Sequence, residues 1–147
     1  MNYIKTYETF SKLTFEINEN SDKVNIIGYL NEYKVGEIII EFILDGFWMF
    51  EDIMDEDRYD QIFPQDEFAK IEHLEIEEPF RQKGYSRNIM QKGLDYIKDQ
   101  KESTVYLNAS PLGYTGLNIY DLVNFYKSFG FITFIEDQGN EEMILNF

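Results

Sequence analysis

Cysteine is absent from the 147-residue sequence, and histidine occurs only once, at His73. The first absence excludes disulfides, zinc–thiolate sites, iron–sulfur clusters and thiol nucleophiles. Because one histidine cannot build a histidine-rich centre, the sequence predicts no metal cofactor, and a serine–histidine–aspartate triad is not expected. No apolar run reaches the about 18 residues that span a bilayer, and residues 1–6 lack the apolar stretch of a signal peptide. We therefore expect a cytoplasmic protein without membrane contact.

Basic residues are scarce: 13 Lys and Arg stand against 28 Asp and Glu, for a net charge of −15. This charge opposes binding to a polyphosphate backbone, so no nucleic-acid partner is expected. The charges are unevenly distributed. Residues 81–101 hold six bases and two acids, whereas residues 45–67 hold nine acids and one base. The sequence thus offers one segment to an anion and another to a cation.

Hydrophobic periodicity divides the chain into strands and helices of a single domain over residues 1–147. Apolar runs predict strands at residues 13–17, 24–30, 34–44, 70–77, 104–109, 131–136 and 141–147. Apolar stripes at helical spacing predict helices over residues 86–100 and 118–129. Residues 45–68 show no period and predict a long loop with at most one short helix. The strand–helix–strand unit from 70 to 109 implies a parallel pair, so the predicted class is α/β with a mixed sheet and a terminal β-hairpin.

The segment from Glu77 to Arg87 leaves a predicted strand and opens a predicted helix, where unpaired N–H groups form a ready anion site. Gly84 permits positive φ or a close backbone approach, and Ser86 can cap the helix or donate to a phosphate. Full positive charges surround the same point at Arg81, Lys83 and Arg87. The alternative is a solvated connecting loop. Neither a Walker A pattern nor G-x-G-x-x-G is present, so this is not the phosphate loop of a P-loop or nicotinamide enzyme.

Two motifs stand out in the second half of the chain. One is Arg81-Gln82-Lys83-Gly84-Tyr85-Ser86, after His73-Leu74-Glu75-Ile76, and the other is Asn124-Phe125-Tyr126-Lys127-Ser128-Phe129-Gly130-Phe131. Together they resemble the GNAT superfamily of N-acetyltransferases. The first resembles that family's acetyl-CoA pyrophosphate loop, Gln/Arg-x-x-Gly-x-Gly/Ala, and the second resembles its Leu-Tyr-x-x-x-Gly-Phe signature. The resemblance covers roughly residues 34–44 and 69–147. It implies a GNAT-like α+β domain with a mostly antiparallel sheet and a central parallel β-α-β pair. The implied activity is direct transfer of an acetyl group from acetyl-CoA, as co-substrate, to a primary amine in a ternary complex.

The resemblance also assigns roles to individual residues. The main chain at Leu74 and Ile76 would bind the pantetheine arm. The pyrophosphate would be held by the loop of Arg81, Gln82, Lys83, Gly84, Tyr85 and Ser86. Tyr126 matches the general acid that protonates the departing thiolate, with ordinary core packing as the alternative. Asn118, next to the family's usual asparagine position, would contact CoA.

The general base is assigned to Glu72, which stands where many family members place a strand carboxylate. The alternative, His73, has a more suitable intrinsic pKa but should point to the opposite face of the strand, a face that it shares with Glu75.

The N-terminal part of the chain departs from the family pattern. The family inserts two helices between its first two strands, whereas here only residues 18–23 separate the strand of Phe15 from that of Val24. The candidate replacement for the acceptor pocket is the acidic segment 45–68, where Trp48 and Phe50 lie among Asp52, Asp55, Asp57 and Asp60. Such a surface suits a cationic small-molecule or peptide amine, although an acidic lid without a substrate role explains it equally well.

Two other functions stay open: a non-catalytic acyl-CoA-binding module, and an acidic interaction protein that binds a basic partner through residues 45–67. A homodimer would cover the apolar terminal strand, unless that strand packs internally.

Overall fold

Seven β-strands and three α-helices form the regular structure of residues 12–111, 118–137 and 139–147, the part of the chain that the computed structural model describes. The strands are β1 (Thr14–Asn20), β2 (Lys23–Leu30), β3 (Tyr33–Leu44), β4 (Glu67–Ile76), β5 (Thr104–Ala109), β6 (Ile132–Asp137) and β7 (Asn140–Asn146). The helices are α1 (Glu56–Ile62), α2 (Tyr85–Asp99) and α3 (Ile119–Lys127), and 3-10 turns occupy Gly46–Met49 and Glu78–Phe80. None of these described helices is long and apolar enough to cross a bilayer.

The strands form one sheet in the order β1-β2-β3-β4-β5-β7-β6. β4 and β5 run parallel, with Ala69 opposite Val105, and helix α2 connects them. β1 pairs antiparallel with β2, and β6 and β7 form the terminal hairpin. The predicted fold class, a mostly antiparallel sheet with a parallel β-α-β pair and a C-terminal hairpin, is therefore confirmed.

The apolar terminal strand lies inside the sheet. β7 pairs with β5 on one side, with Tyr106 opposite Ile144, and with β6 on the other, with Ile132 opposite Ile144. Both of its edges are hydrogen-bonded, as the internal-packing alternative requires. A homodimer remains a prediction, but it loses the argument from an uncovered terminal strand.

Contacts divide the described residues into two compact units, of which the first takes in residues 12–40 and His73–Tyr96. In this unit helix α2 packs closely on β2 and β3. A Cβ added at Gly93 would lie 2.7 Å from the Ile38 side chain, and one at Gly28 would lie 3.2 Å from Ile89. Small residues at these positions let the helix approach the sheet, and the apolar stripe of α2 is buried there.

The second unit consists of the described residues within 41–72 and 97–147, and it has an aromatic core. Phe50 stacks on Phe63 with ring centroids 5.2 Å apart and meets Tyr106 edge-on at 5.0 Å. Helix α1 is attached to this core, since Arg58 donates a hydrogen bond to the Phe134 carbonyl at 2.9 Å. The other core members are Ile43, Met54, Tyr59, Phe68 and Ile144.

The segment 45–68 is irregular around a single short α-helix, as its missing period predicts. It contains a 3-10 turn and helix α1, and its aromatic rings fill the core of the second unit. The expectation that Phe50 joins a cation-binding surface is wrong, because its side chain is only 1% exposed. Trp48, at 65% exposure, stays on the surface with its acidic neighbours.

Candidate functional site

The predicted anion loop starts from a firmly held strand end. The Glu77 amide donates to the Val35 carbonyl of β3 at 2.8 Å, so pairing continues one residue past β4. The 3-10 turn Glu78–Phe80 follows, and the Arg81 backbone amide closes it by donating a hydrogen bond to the Glu78 carbonyl at 3.2 Å. The Arg81 side chain turns back, and its Nε donates to the Ile76 carbonyl at 2.9 Å. The loop is thus attached to the strand on which Leu74 and Ile76 lie.

The backbone then alternates in handedness before helix α2 begins. Gln82 has φ 61° and Gly84 has φ 83°, whereas Lys83 between them has no positive φ. Alternation of this kind produces concave main-chain nests that hold anions. A Cβ at Gly84 would meet nothing within 4 Å, so glycine serves the left-handed conformation rather than a tight contact.

The charged residues of the loop face solvent at the start of a 15-residue helix. Gln82, Lys83, Gly84 and Arg87 are exposed, and Tyr85 is buried with its ring edge-on to Phe80 at 6.1 Å. Helix α2 begins at Tyr85, one residue earlier than predicted, so Ser86 lies within the first turn instead of capping it. Its half-buried hydroxyl, the first-turn amides and two exposed cations provide the donors that a pyrophosphate needs.

Tyr126 belongs to the second unit and lies on the buried side of helix α3, 8% exposed. Its ring contacts Phe125 and Phe131 edge-on, with centroids 5.4 and 6.0 Å away. Burial raises the pKa of Tyr126 to about 12, so the hydroxyl keeps its proton at neutral pH. Helix α3 ends at Lys127, two residues before the predicted end at Phe129, because a turn takes over from Ser128. Gly130 has the predicted left-handed conformation, with φ 104°, and its amide donates to the Lys127 carbonyl at 2.9 Å.

Asn118 forms the other end of this helix. Its side-chain oxygen accepts a hydrogen bond from the Asp121 amide at 2.8 Å, which makes it the N-cap of α3. Asn118, which is predicted to contact CoA, therefore also caps the helix. Its side-chain amide nitrogen is the group left for a ligand.

A scan against protein-family models finds no match to the sequence, and a search of curated proteins finds none. Solved structures do match. PaiA N-acetyltransferase from Thermoplasma acidophilum, in complex with coenzyme A, gives a TM-score of 0.59 at 13% identity over 86% of this chain and 62% of its own. The ribosomal-protein-S18-alanine N-acetyltransferase of Escherichia coli gives 0.58 at 14% identity over 97% and 75%. A Bacillus subtilis acetyltransferase in complex with CoA gives 0.62 at 10% identity over 92% and 99%.

This chain has the GNAT fold. At 10–14% identity the likeness to these three structures is one of fold. The chain spans less than two thirds of the length of the first of them, at 62%, and nearly all of the third, at 99%. The resemblance read from the two sequence motifs is thereby confirmed at the level of the fold.

Within this GNAT fold, the two candidates for the general base lie next to each other on β4. Glu72 is exposed, whereas His73 is half-buried. His73 Nε2 lies 2.9 Å from Glu75 Oε2, which confirms that these two side chains share a face. His73 is thus a hydrogen-bonded strand histidine, and Glu72 remains the predicted base.

Two clusters of polar side chains in this GNAT fold could not be predicted from the sequence. Glu37 of β3 comes together with His73 and Glu75, and the Tyr106 hydroxyl of β5 donates to the Glu142 carboxylate of β7. Both groupings join residues that are more than 30 positions apart in the chain. The sequence signal for each is only the alternation of polar residues in two separate strands, which does not show which strands are neighbours.

Proposed function

We propose that this protein transfers an acetyl group from acetyl-CoA to a primary amine, as a cytoplasmic enzyme. The observation that carries the proposal is the loop before helix α2, in which left-handed Gln82 and Gly84 flank the exposed Lys83. Such a loop combines main-chain donors, a helix N-terminus and positive charge at one point. It occurs here on a fold shared with acetyltransferases solved in complex with CoA.

The loop Arg81–Ser86 would hold the pyrophosphate of acetyl-CoA, and the main chain at Leu74 and Ile76 would hold the pantetheine arm. Asn118 would add a contact through its amide nitrogen. Acetyl-CoA supplies an activated acetyl thioester. The amine nitrogen forms a bond to the acetyl carbonyl carbon, and the carbon–sulfur bond breaks in the same ternary complex, because the chain has no cysteine to carry the acetyl group.

Two side chains would move the protons of this reaction. Glu72 would take the proton that the attacking amine loses, and Tyr126 would give a proton to the departing thiolate. The burial of Tyr126 supports its part, since a hydroxyl whose pKa is raised to about 12 is protonated at every pH near neutral. The exposure of Glu72 supports its part, because a base must reach the incoming amine.

The acceptor is proposed to be a cationic small-molecule or peptide amine. The net charge of −15 favours a cation, and the exposed Trp48 lies in an acid-rich stretch of the sequence, residues 45–60. The connection between β1 and β2 also affects where an acceptor could bind. A turn at Ser21 and Asp22 joins these two strands directly, so the two helices that the resemblance leads one to expect are missing there.

This direct β1–β2 connection favours one competing function, a module that binds acyl-CoA without acetylating an amine. Calorimetric titration with acetyl-CoA, CoA and ATP at two salt concentrations tests both. We expect saturable binding of acetyl-CoA and CoA and much weaker binding of ATP. An amine screen then separates them, since only the enzyme forms an acetylated product and free thiol. Failure of acetyl-CoA to bind at millimolar concentration would contradict both functions and leave an acidic protein with a basic partner.

A further inference from the structure

A cluster of three metal-ligating side chains lies outside the proposed CoA loop. Glu37 of β3 and His73 and Glu75 of β4 each offer one ligand atom, and these atoms lie within 4.8 Å of one another. His73 Nε2 and Glu75 Oε2 are 2.9 Å apart. All three residues are half-buried, so the cluster is both ordered by its strands and open to an ion from solvent.

The close approach of β3 and β4 explains why these residues meet. A Cβ at Gly36 would lie 2.3 Å from the Glu75 carbonyl oxygen, so only glycine lets the strands come this near. The same Cβ would lie 3.0 Å from Ile89 of helix α2, which places the helix on that face. Side chains alternate along a strand, so Glu37 points to the other face, where His73 and Glu75 can reach it.

We propose that Glu37, His73 and Glu75 bind one divalent transition-metal ion of the zinc type. Zinc accepts both imidazole nitrogen and carboxylate oxygen as ligands, and its open sites combine three protein ligands with a fourth position left for water or substrate. Zinc–ligand bonds of about 2.0–2.2 Å place neighbouring ligand atoms roughly 3.4 Å apart. The three ligand atoms therefore need to shift by only about an ångström to bind one ion. Mg²⁺ and Ca²⁺ are poorer candidates, because they prefer oxygen ligands and more of them.

A resident ammonium group competes for this site. Lys34 Nζ lies 3.3 Å from Glu37 Oε1 and 3.7 Å from Glu77 Oε1. A bound metal ion would share Glu37 with this cation and be repelled by it. Replacing Lys34 by an uncharged residue of similar length should therefore tighten metal binding, whereas loss of a ligand should weaken it.

His73 provides a direct test, because it is the only histidine among the 147 residues. The probe is Zn²⁺ added to tag-free, chelator-treated protein, followed by calorimetry and by the imidazole proton NMR signals of His73. We expect saturable binding of one ion with a shift of these signals, and no shift with Mg²⁺ at the same concentration. His73→Gln and Glu37→Gln should each weaken binding at least about tenfold. Lys34→Met should strengthen it several-fold.

The control variant is Glu32→Gln, which removes an exposed acid from the β2–β3 turn and should bind zinc like the wild type. This control matters because 28 acids could bind zinc weakly without a site. Three results would overturn the proposal: no saturable binding at millimolar Zn²⁺, unmoved His73 signals while zinc binds, or a His73→Gln variant that binds as tightly as the wild type. Circular dichroism shows whether each variant is folded. None of these measurements depends on acetyl transfer.

Discussion

Arg81 Nε donates a hydrogen bond to the main-chain carbonyl of Ile76 across 2.9 Å. The first cation of the proposed pyrophosphate loop is thereby attached to the strand end that is proposed to hold pantetheine. A guanidinium has five N–H donors in a fixed plane, which is more than one carbonyl can accept. Arg81 thus links the two parts of the proposed CoA site in the first unit.

Two substitutions of Arg81 distinguish the effect of its positive charge from that of its planar guanidinium group. We expect Arg81→Gln to weaken acetyl-CoA binding about tenfold or more, since it removes the charge and the fork together. Arg81→Lys keeps the charge but not the planar fork, so its affinity should lie between those of wild type and Arg81→Gln. Calorimetry measures all three. Equal affinities for the two variants and the wild type would show that Arg81 only holds the loop.

Gly84 allows a test of the loop backbone with a matched control. Gly84 and Gly139 have φ of 83° and 91°, and a Cβ at either would meet nothing within 4 Å. Alanine should therefore cost both sites a similar backbone strain of about 1 kcal/mol or more. Only Gly84→Ala should also weaken acetyl-CoA binding. Equal binding by the two variants, measured by calorimetry beside their melting temperatures, would contradict a role for this loop.

The local parts of the site could be predicted from the sequence. A glycine ahead of a periodic apolar stripe indicates the start of helix α2, and Gly130 indicates the left-handed turn that follows α3, since both depend on neighbours a few residues away. The shared face of His73 and Glu75 followed from strand alternation and is confirmed by their 2.9 Å contact. These features need no knowledge of which strands are adjacent.

The parts that depend on distant contacts could not be predicted. The rings of Phe50 and Phe134 are 84 positions apart in sequence but 6.1 Å apart in space, and nothing in segment 45–68 shows this. The sequence therefore places Phe50 with Trp48 on the candidate acidic surface, and for Phe50 that expectation is wrong. Glu37 joined His73 only because Gly36 lets two strands approach closely. Pairing between strands decides such contacts, and a single sequence does not reveal it.

Substitutions in segment 45–68 test whether its aromatic side chains pack in the core of the second unit. Phe63 is 1% exposed and Trp48 is 65% exposed in the same segment. Phe63→Ala should lower the free energy of unfolding by about 3–5 kcal/mol, because it leaves a cavity in the core of the second unit. Trp48→Ala should change it by less than about 0.5 kcal/mol. Urea unfolding measures both. Similar losses for the two variants would mean that the segment does not pack as described.

Asn118 is expected to act twice, as the N-cap of α3 and as a CoA contact. Asn118→Ala should lower the free energy of unfolding by about 1 kcal/mol, whereas Asn118→Asp keeps an oxygen for the Asp121 amide and should preserve stability. Both variants lack the amide nitrogen, so both should bind acetyl-CoA several-fold more weakly. If Asn118→Asp binds acetyl-CoA as tightly as the wild type, Asn118 acts only as the helix N-cap and does not contact CoA.

Tyr126→Phe tests the proposed general acid, because it removes one hydroxyl and keeps the ring between Phe125 and Phe131. We expect kcat for amine acetylation to fall about 10²–10⁴-fold, the range of general acid catalysis, with little change in acetyl-CoA affinity. Since burial raises the pKa of Tyr126 to about 12, wild-type turnover should not lose this proton donor at any pH below about 11. Tyr120→Phe, on the same helix and 72% exposed, is the control and should keep full activity. If both variants turn over like the wild type, Tyr126 is a core residue and the thiolate takes its proton from another donor.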